Sequence, residues 1–181
     1  NNSDSRYIEP VYDRIFNRLI VVEEIHRGGE VINRLVAVSV DDYELSVLCD
    51  QYDFYAYPVI SQSGSLAFIT WDHPEQPWTN TQLVGIEFSD QGQITDKREL
   101  LADSPGEESL SQPLYHLNEL YVVSDRCGWW NIYRYDRATD GLMPVVSSTN
   151  DMISAPWQSG LRHYDVSGDF MASIVLCHEG A

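Results

Sequence analysis

"YAYPVISQSGSLAFITW", residues 55–71, is the stretch that decides the fold. A short apolar run carries Pro58, the polar turn "SQSGS" follows, and a second apolar run, "LAFITW", completes the pair. Two such runs joined by a short glycine-containing turn read as a β-hairpin. The setting of Pro58 recurs at Pro10 in "RYIEPVY", Pro113 in "LSQPLY" and Pro156 in "ISAPWQ". Near each lies a large apolar residue: Tyr12, Ile60, Tyr115 and Trp157.

The pieces that follow each proline repeat as well. "RLIVVEE", "LAFITW" and "LYVVS" read as second strands, and "NRLVAVSV", "TQLVGIEF" and "NIYRYD" as third strands alternating with period two. "YELSVLC", "KRELLAD" and "LMPVVSS" read as shorter fourth strands, with "HRGGE", "SDQGQ" and "ATDG" as turns. No segment keeps a helical apolar period over ten or more residues. Each unit is therefore four antiparallel strands in about 45 residues, the size and strand count of a propeller blade. A β-sandwich is the other all-β arrangement, but the recurring proline before each first strand favours blades.

The expected fold is all-β, a partial β-propeller of about three and a half four-stranded blades. The blades fall at about 8–50, 55–103 and 110–148, with a partial one at 153–181. Rings close with about 4–8 blades, so the expectation is a segment, 1–181, of a longer chain. Its open blade faces and edges would invite self-association.

Charge narrows the partners. The chain holds 28 acidic and 11 basic residues, a net charge of −17. Nucleic acid is not an expected partner, because phosphate binding needs Lys and Arg. A cationic ligand and simple solubility both fit the acidity. No apolar run approaches about 18 residues, so no membrane partner is expected. Cys49, Cys127 and Cys177 are odd in number, widely spaced and without a CxxC pair. They read as reduced thiols, which makes the expected location the cytoplasm.

The familiar catalytic signatures are missing. No two glycines lie four apart, as GxSxG requires, and there is no phosphate loop and no HExxH. His26, His73, His116, His163 and His178 show no ligand spacing, so neither a metal nor another cofactor is expected.

Local features supply the candidates. "SDRCG" sets Asp125 and Arg126 in a turn ending at Gly128. Either the two charges face outward on one propeller face, or Asp125 accepts backbone N–H groups that hold the turn. Trp129 and Trp130 are consecutive and would face opposite sides of a strand. At least one packs between blades, with Tyr133 and Tyr135, and Trp129 is a candidate for substrate contact. The stretch "TWDHPEQPWTNTQL", residues 70–83, is a long aromatic loop with candidates Trp71, His73 and Trp78. Packing of the loop on itself is the competing explanation. Glu107 and Glu108, in "DSPGEESLSQP", are either solvated loop charges or a receptor for a cationic amine such as a peptide amino terminus.

Together, "HRGGEVINRLVAVSV", "DFYAYPVISQSGSLAFITWDHPEQPWTNTQL", "EESLSQP" and "LYVVSDRCGWWNIYRYD" resemble the propeller of the prolyl oligopeptidase family of serine peptidases. Within it, the chain is most similar to bacterial acylaminoacyl-peptidase and dipeptidyl-aminopeptidase-like members. The "SDRxG…NIY" match alone is a general TolB-like propeller signal; the "WDHPxxPW" loop followed by "GWWN" is more specific. The usual "SPDG" hairpin is altered, to "SQSG" in one unit and "HLNE" in another.

The resemblance implies a parent with a C-terminal α/β-hydrolase domain that carries Ser, Asp and His. This chain contains none of those positions, so no catalytic residue carries over and the segment alone should hydrolyse nothing. The implied role is to cover the active site and restrict entry to short peptides, with peptide substrate and hydrolase domain as partners. Two other readings compete. A non-enzymatic TolB-like propeller scaffold would bind protein partners. A propeller enzyme such as a lyase would need clustered His, Asp and Glu at strand starts, which the sequence does not display.

Overall fold

The computed structural model describes residues 4–101, 107–167 and 170–173 of the 181-residue chain. Three four-stranded antiparallel sheets follow one another in chain order. The first holds β1 (Ser5–Asp13), β2 (Arg18–Arg27), β3 (Glu30–Ser39) and β4 (Leu45–Cys49). The second holds β5 (Phe54–Ile60), β6 (Leu66–Trp71), β7 (Gln82–Phe88) and β8 (Ile94–Leu100). The third holds β9 (Leu110–His116), β10 (Glu119–Ser124), β11 (Asn131–Asp136) and β12 (Gly141–Pro144). A two-stranded sheet of β13 (Tyr164–Ser167) and β14 (Phe170–Ser173) comes last. No helix occurs among the described residues. The architecture is that of consecutive propeller blades, as the repeat predicts.

The apolar runs are buried on both faces because each central sheet is covered twice. On β6, Leu66 and Phe68 join Ile20, Val22, Leu35 and Ala37 of the first sheet, while Ala67 and Ile69 join Leu120 and Val122 of the third. Alternation along one strand thus feeds two separate cores, and the segment reads as continuously apolar. A third cluster, around Val123, Ile132, Met152, Ile153 and Tyr164, seals the third sheet against the chain beyond it.

The first strands β1, β5 and β9 touch in succession and form the inner edges of the sheets. Each carries its proline at a break in the ladder. The register shifts between Ile8 and Val11, between Ala56 and Val59, and on β9 between the residues paired with Tyr121 and Val123. Proline has no N–H to give to the ladder, so a bulge is where it fits. The residue before each proline, Glu9, Tyr57 or Gln112, has a left-handed φ of 52°, 54° or 48°. Such strain persists only where the surroundings over-determine it.

The fourth unit departs from this pattern. Pro156 lies outside any strand, and the next strand begins at Tyr164. The segment between them is held by side chains of the earlier first strands instead of a ladder, as described below.

The short hairpins at one end interlock. Buried Asp13 accepts the N–H of Ile15 at 3.0 Å and Nε of Arg18 at 2.9 Å. The Arg18 guanidinium lies over the rings of Phe16 and Phe88, at 4.7 and 4.3 Å, and donates to the Gly92 carbonyl at 3.2 Å. A hairpin of the first sheet is thereby fastened to one of the second.

Candidate functional site

The longer connections β6–β7, β8–β9 and β10–β11 leave from the opposite end, because loops of an antiparallel meander alternate between ends. Hydrogen bonds join them into one surface. Ser109 Oγ donates to the Pro77 carbonyl at 2.9 Å, and Thr81 N–H donates to the Glu108 carbonyl at 2.9 Å. Ser109 N–H donates to Asp125 Oδ1 at 2.8 Å, and Gly128 N–H closes the turn on the Asp125 carbonyl at 2.7 Å. Gly128 has φ of +85°, a conformation open to glycine at little cost. Asp125 therefore holds the turn. Burial pushes its carboxyl above the usual range, against the Ser109 bond and with the nearby Glu108 charge adding to the rise.

The two adjacent glutamates are placed differently. Glu107 is exposed. Glu108 is buried, and Arg126 grips it with Nε and Nη2 each at 2.9 Å, while Ser124 Oγ donates to the same carboxylate. Arg126 also lies 5.6 Å from the centre of the buried Tyr133 ring. With its charge matched by the fork of a guanidinium, Glu108 is a joint between loop and turn, leaving Glu107 as the outward carboxylate of the pair.

The aromatic candidates divide in the same way. Trp71 is half-buried and stacks on Phe54, rings 5.2 Å apart and 12° from parallel. His73 meets the edge of Phe54 at 4.9 Å, and its N–H donates to Asp53 Oδ2 at 2.9 Å. Trp130 packs against the third core cluster; its N–H donates to Asp151 Oδ1 at 3.0 Å and its carbonyl accepts the Met152 N–H at 2.8 Å. Trp78 and Trp129 are each 42% exposed. The two tryptophans of the turn thus separate, one inward and one outward, although both precede the first residue of β11. Exposed Cys127 sits between them and Arg126, accepting from Asn131 Nδ2 at 3.2 Å. A hydrogen bond from Tyr133 leads the causes that hold its thiol below the usual range.

A second polar cluster lies along the inner strands. Glu9 accepts the backbone N–H of Tyr57 and that of Gly160, the latter at 3.0 Å. Gln112, fully buried, accepts the His163 N–H on Oε1 at 2.8 Å. That orientation points its Nε2 donor at His163 Nδ1, 2.8 Å away. His163 Nε2 then carries the hydrogen and donates to Ser154 Oγ at 2.9 Å. A general base for a serine needs the reverse, an unprotonated nitrogen facing the hydroxyl. The Ser154–His163–Gln112 chain is accordingly a clasp. Sequence reading passed over this cluster. Its one signal was the residue preceding each repeated proline. Among the described residues, no group of three or more His, Cys, Asp or Glu is arranged to hold a metal ion.

Comparison with known proteins places these features. No family model matches the chain, and no curated protein matches it. Solved structures do. A puromycin-hydrolysing peptidase of Mycobacterium tuberculosis aligns over 92% of this chain and 27% of its own, with 26% identity and a TM-score of 0.80. A puromycin hydrolase aligns over 89% of this chain and 26% of its own, again at 26% identity, with a TM-score of 0.78. TolB from Acinetobacter baumannii, at 15% identity and a TM-score of 0.56, shares the fold. This chain spans about a quarter of the length of the two puromycin-hydrolysing proteins. It is a β-propeller segment similar to the propeller regions of puromycin hydrolases of the prolyl oligopeptidase family.

Proposed function

We propose that this chain is the non-catalytic propeller of a prolyl oligopeptidase-family serine peptidase, where it covers the active site and restricts entry to short peptides. The observation that carries the reading is the likeness, over nine-tenths of the chain, to puromycin-hydrolysing peptidases at 26% identity. The likeness to TolB, at 15% identity, speaks to fold alone. In this reading the joined loops 72–81, 107–109 and 125–130 form the surface nearest the substrate. Exposed Glu107, Trp78 and Trp129 would meet the peptide, with Glu107 facing its amino terminus. Glu108, Asp125 and Gly128 would hold that surface in shape. The partners are a hydrolase domain and a peptide, and the compartment is the cytoplasm.

The test is to read the parent gene downstream of Ala181 and assay the full-length product on aminoacyl and acyl-aminoacyl chromogenic substrates. A hydrolase domain and cleavage abolished by a serine-directed reagent are expected. A reading frame that ends after the last blade, with no hydrolysis, would leave a binding scaffold and overturn the proposal.

A further inference from the structure

Residues 154–163 run between two buried anchors, Ile153 and Tyr164, yet Trp157, Gln158, Ser159 and Gly160 in the middle are exposed. Trp157 is 69% exposed. No strand ladder holds this stretch. It is held by the inner strands of all three sheets. Glu9 of β1 accepts the Gly160 N–H at 3.0 Å. Arg162 lies over the ring of Tyr57 of β5 at 5.5 Å and donates from Nη1 to the Pro113 carbonyl of β9 at 2.8 Å. Gln112 of β9 takes the His163 N–H at 2.8 Å and the Tyr164 hydroxyl at 2.7 Å. Glu9, Tyr57 and Gln112 are the three left-handed residues that precede the prolines. The strained positions of three first strands therefore converge on one segment.

Beside it lies a recess of about 330 Å³, walled by Pro10, Val11, Pro58, Val59 and Leu114 and bordered by Gly160 and Arg162. The walls are inner strands, so the recess lies on the propeller axis.

We propose that residues 154–163 are an axial strap that closes this recess and opens as a unit while its two anchors stay buried. Its bonds to the seat are polar, and Pro156 is its one buried residue, so opening exposes that proline and the recess walls but no large side chain of a core cluster. Segments held by few apolar contacts are those that open locally, below the free energy of global unfolding. Gly160, at φ of +77°, supplies a backbone position that tolerates rearrangement. When closed, the strap denies the axial route to a peptide-sized solute. Closure is a property of this chain itself; its use in screening peptides rests on the peptidase reading.

Hydrogen exchange on the intact chain, resolved to single amides, tests the strap in wild type, Glu9→Ala and Arg162→Ala. Glu9 touches Gly160 but not His163, and Arg162 bonds neither amide, so a unit behaves differently from separate contacts. Either variant should speed exchange at both Gly160 and His163 by about tenfold, the worth of one hydrogen bond. The amides of Ala67 and Ile69 in β6 should keep wild-type protection. Wild-type exchange at His163 in both variants would overturn the strap, showing independent contacts. Acceleration at β6 in step with the strap would overturn it too, showing global destabilisation. Peptide hydrolysis plays no part in this readout, so the peptidase reading can fail without it.

Discussion

Arg126 meets Glu108 through two parallel N–H···O bonds of 2.9 Å, which locks the chain entering β9 to the turn leaving β10. Glu108 is 7% exposed, so removal of its counterion strands a buried charge. Arg126→Ala should cost about 2–4 kcal/mol, somewhat below the roughly 3–5 kcal/mol of fully buried pairs because the Arg126 side chain keeps some contact with water. Glu108→Gln with Arg126→Met should lose less than Arg126→Ala alone, since no unpaired charge remains. Urea unfolding of the single and double variants checks this. A double variant less stable than Arg126→Ala would rule out the charge argument.

Half-buried Glu9 and buried Glu23, both of the first sheet, should respond oppositely to pH. Burial pushes Glu9 above its usual range, and its hydrogen bonds and Arg162 only partly offset this. Between the unfolded value and the raised native value, the native state holds the extra proton, so stability rises as pH falls through that window. Burial also pushes Glu23 up, but bonds from Arg34, Ser5 and Tyr7 outweigh it and hold the carboxyl below its usual range. Its contribution is present above the unfolded value and is lost as pH falls through the native one. Relative to wild type, Glu9→Gln should therefore gain stability as pH rises, and Glu23→Gln should lose it. Unfolding midpoints measured across the acid range give both slopes.

Phe68 is fully buried between the first and second sheets, its ring 5.9 Å from that of Tyr55. Phe68→Ala leaves a cavity that neighbouring strands cannot fill, and should cost about 3–5 kcal/mol. The measurement is a shift in denaturation midpoint with an unchanged slope.

Thiol chemistry separates the described cysteines. Cys127 is exposed and Cys49 buried. Iodoacetamide at neutral pH should label Cys127 first, and Cys49 only when the fold opens. Tyr133→Phe removes the bond that holds the Cys127 thiol low, so its labelling should slow. Peptide mass spectrometry against time reads both rates.

Trp78→Ala and Trp129→Ala should change stability by less than about 1 kcal/mol, because the side chains are only partly packed. In a full-length peptidase, the same changes should lower kcat/KM for peptides more than for a small chromogenic ester. Equal effects on the two substrates would remove these rings from the proposed contact surface.

Much of this molecule was written locally. Period-two alternation, turn residues and a proline opening each unit specified four-stranded sheets, because those signals act over a few residues. The run "LAFITW" read as a strand, while its burial on both faces followed from the stacking of the sheets. The long loop and the "SDRCG" turn also stood out by composition. What the sequence left undecided was which side chain meets which. Glu107 and Glu108 read as equals, yet one is exposed and the other buried against Arg126, some eighteen positions along the chain. Trp129 and Trp130 read as a pair, yet only Trp130 joins a core. The link from Glu9 to Gly160, across most of the chain, has no local signature at all. Secondary structure is encoded by neighbours in sequence, whereas charge pairing and burial depend on neighbours in space, and only the stacking of the sheets brings those together.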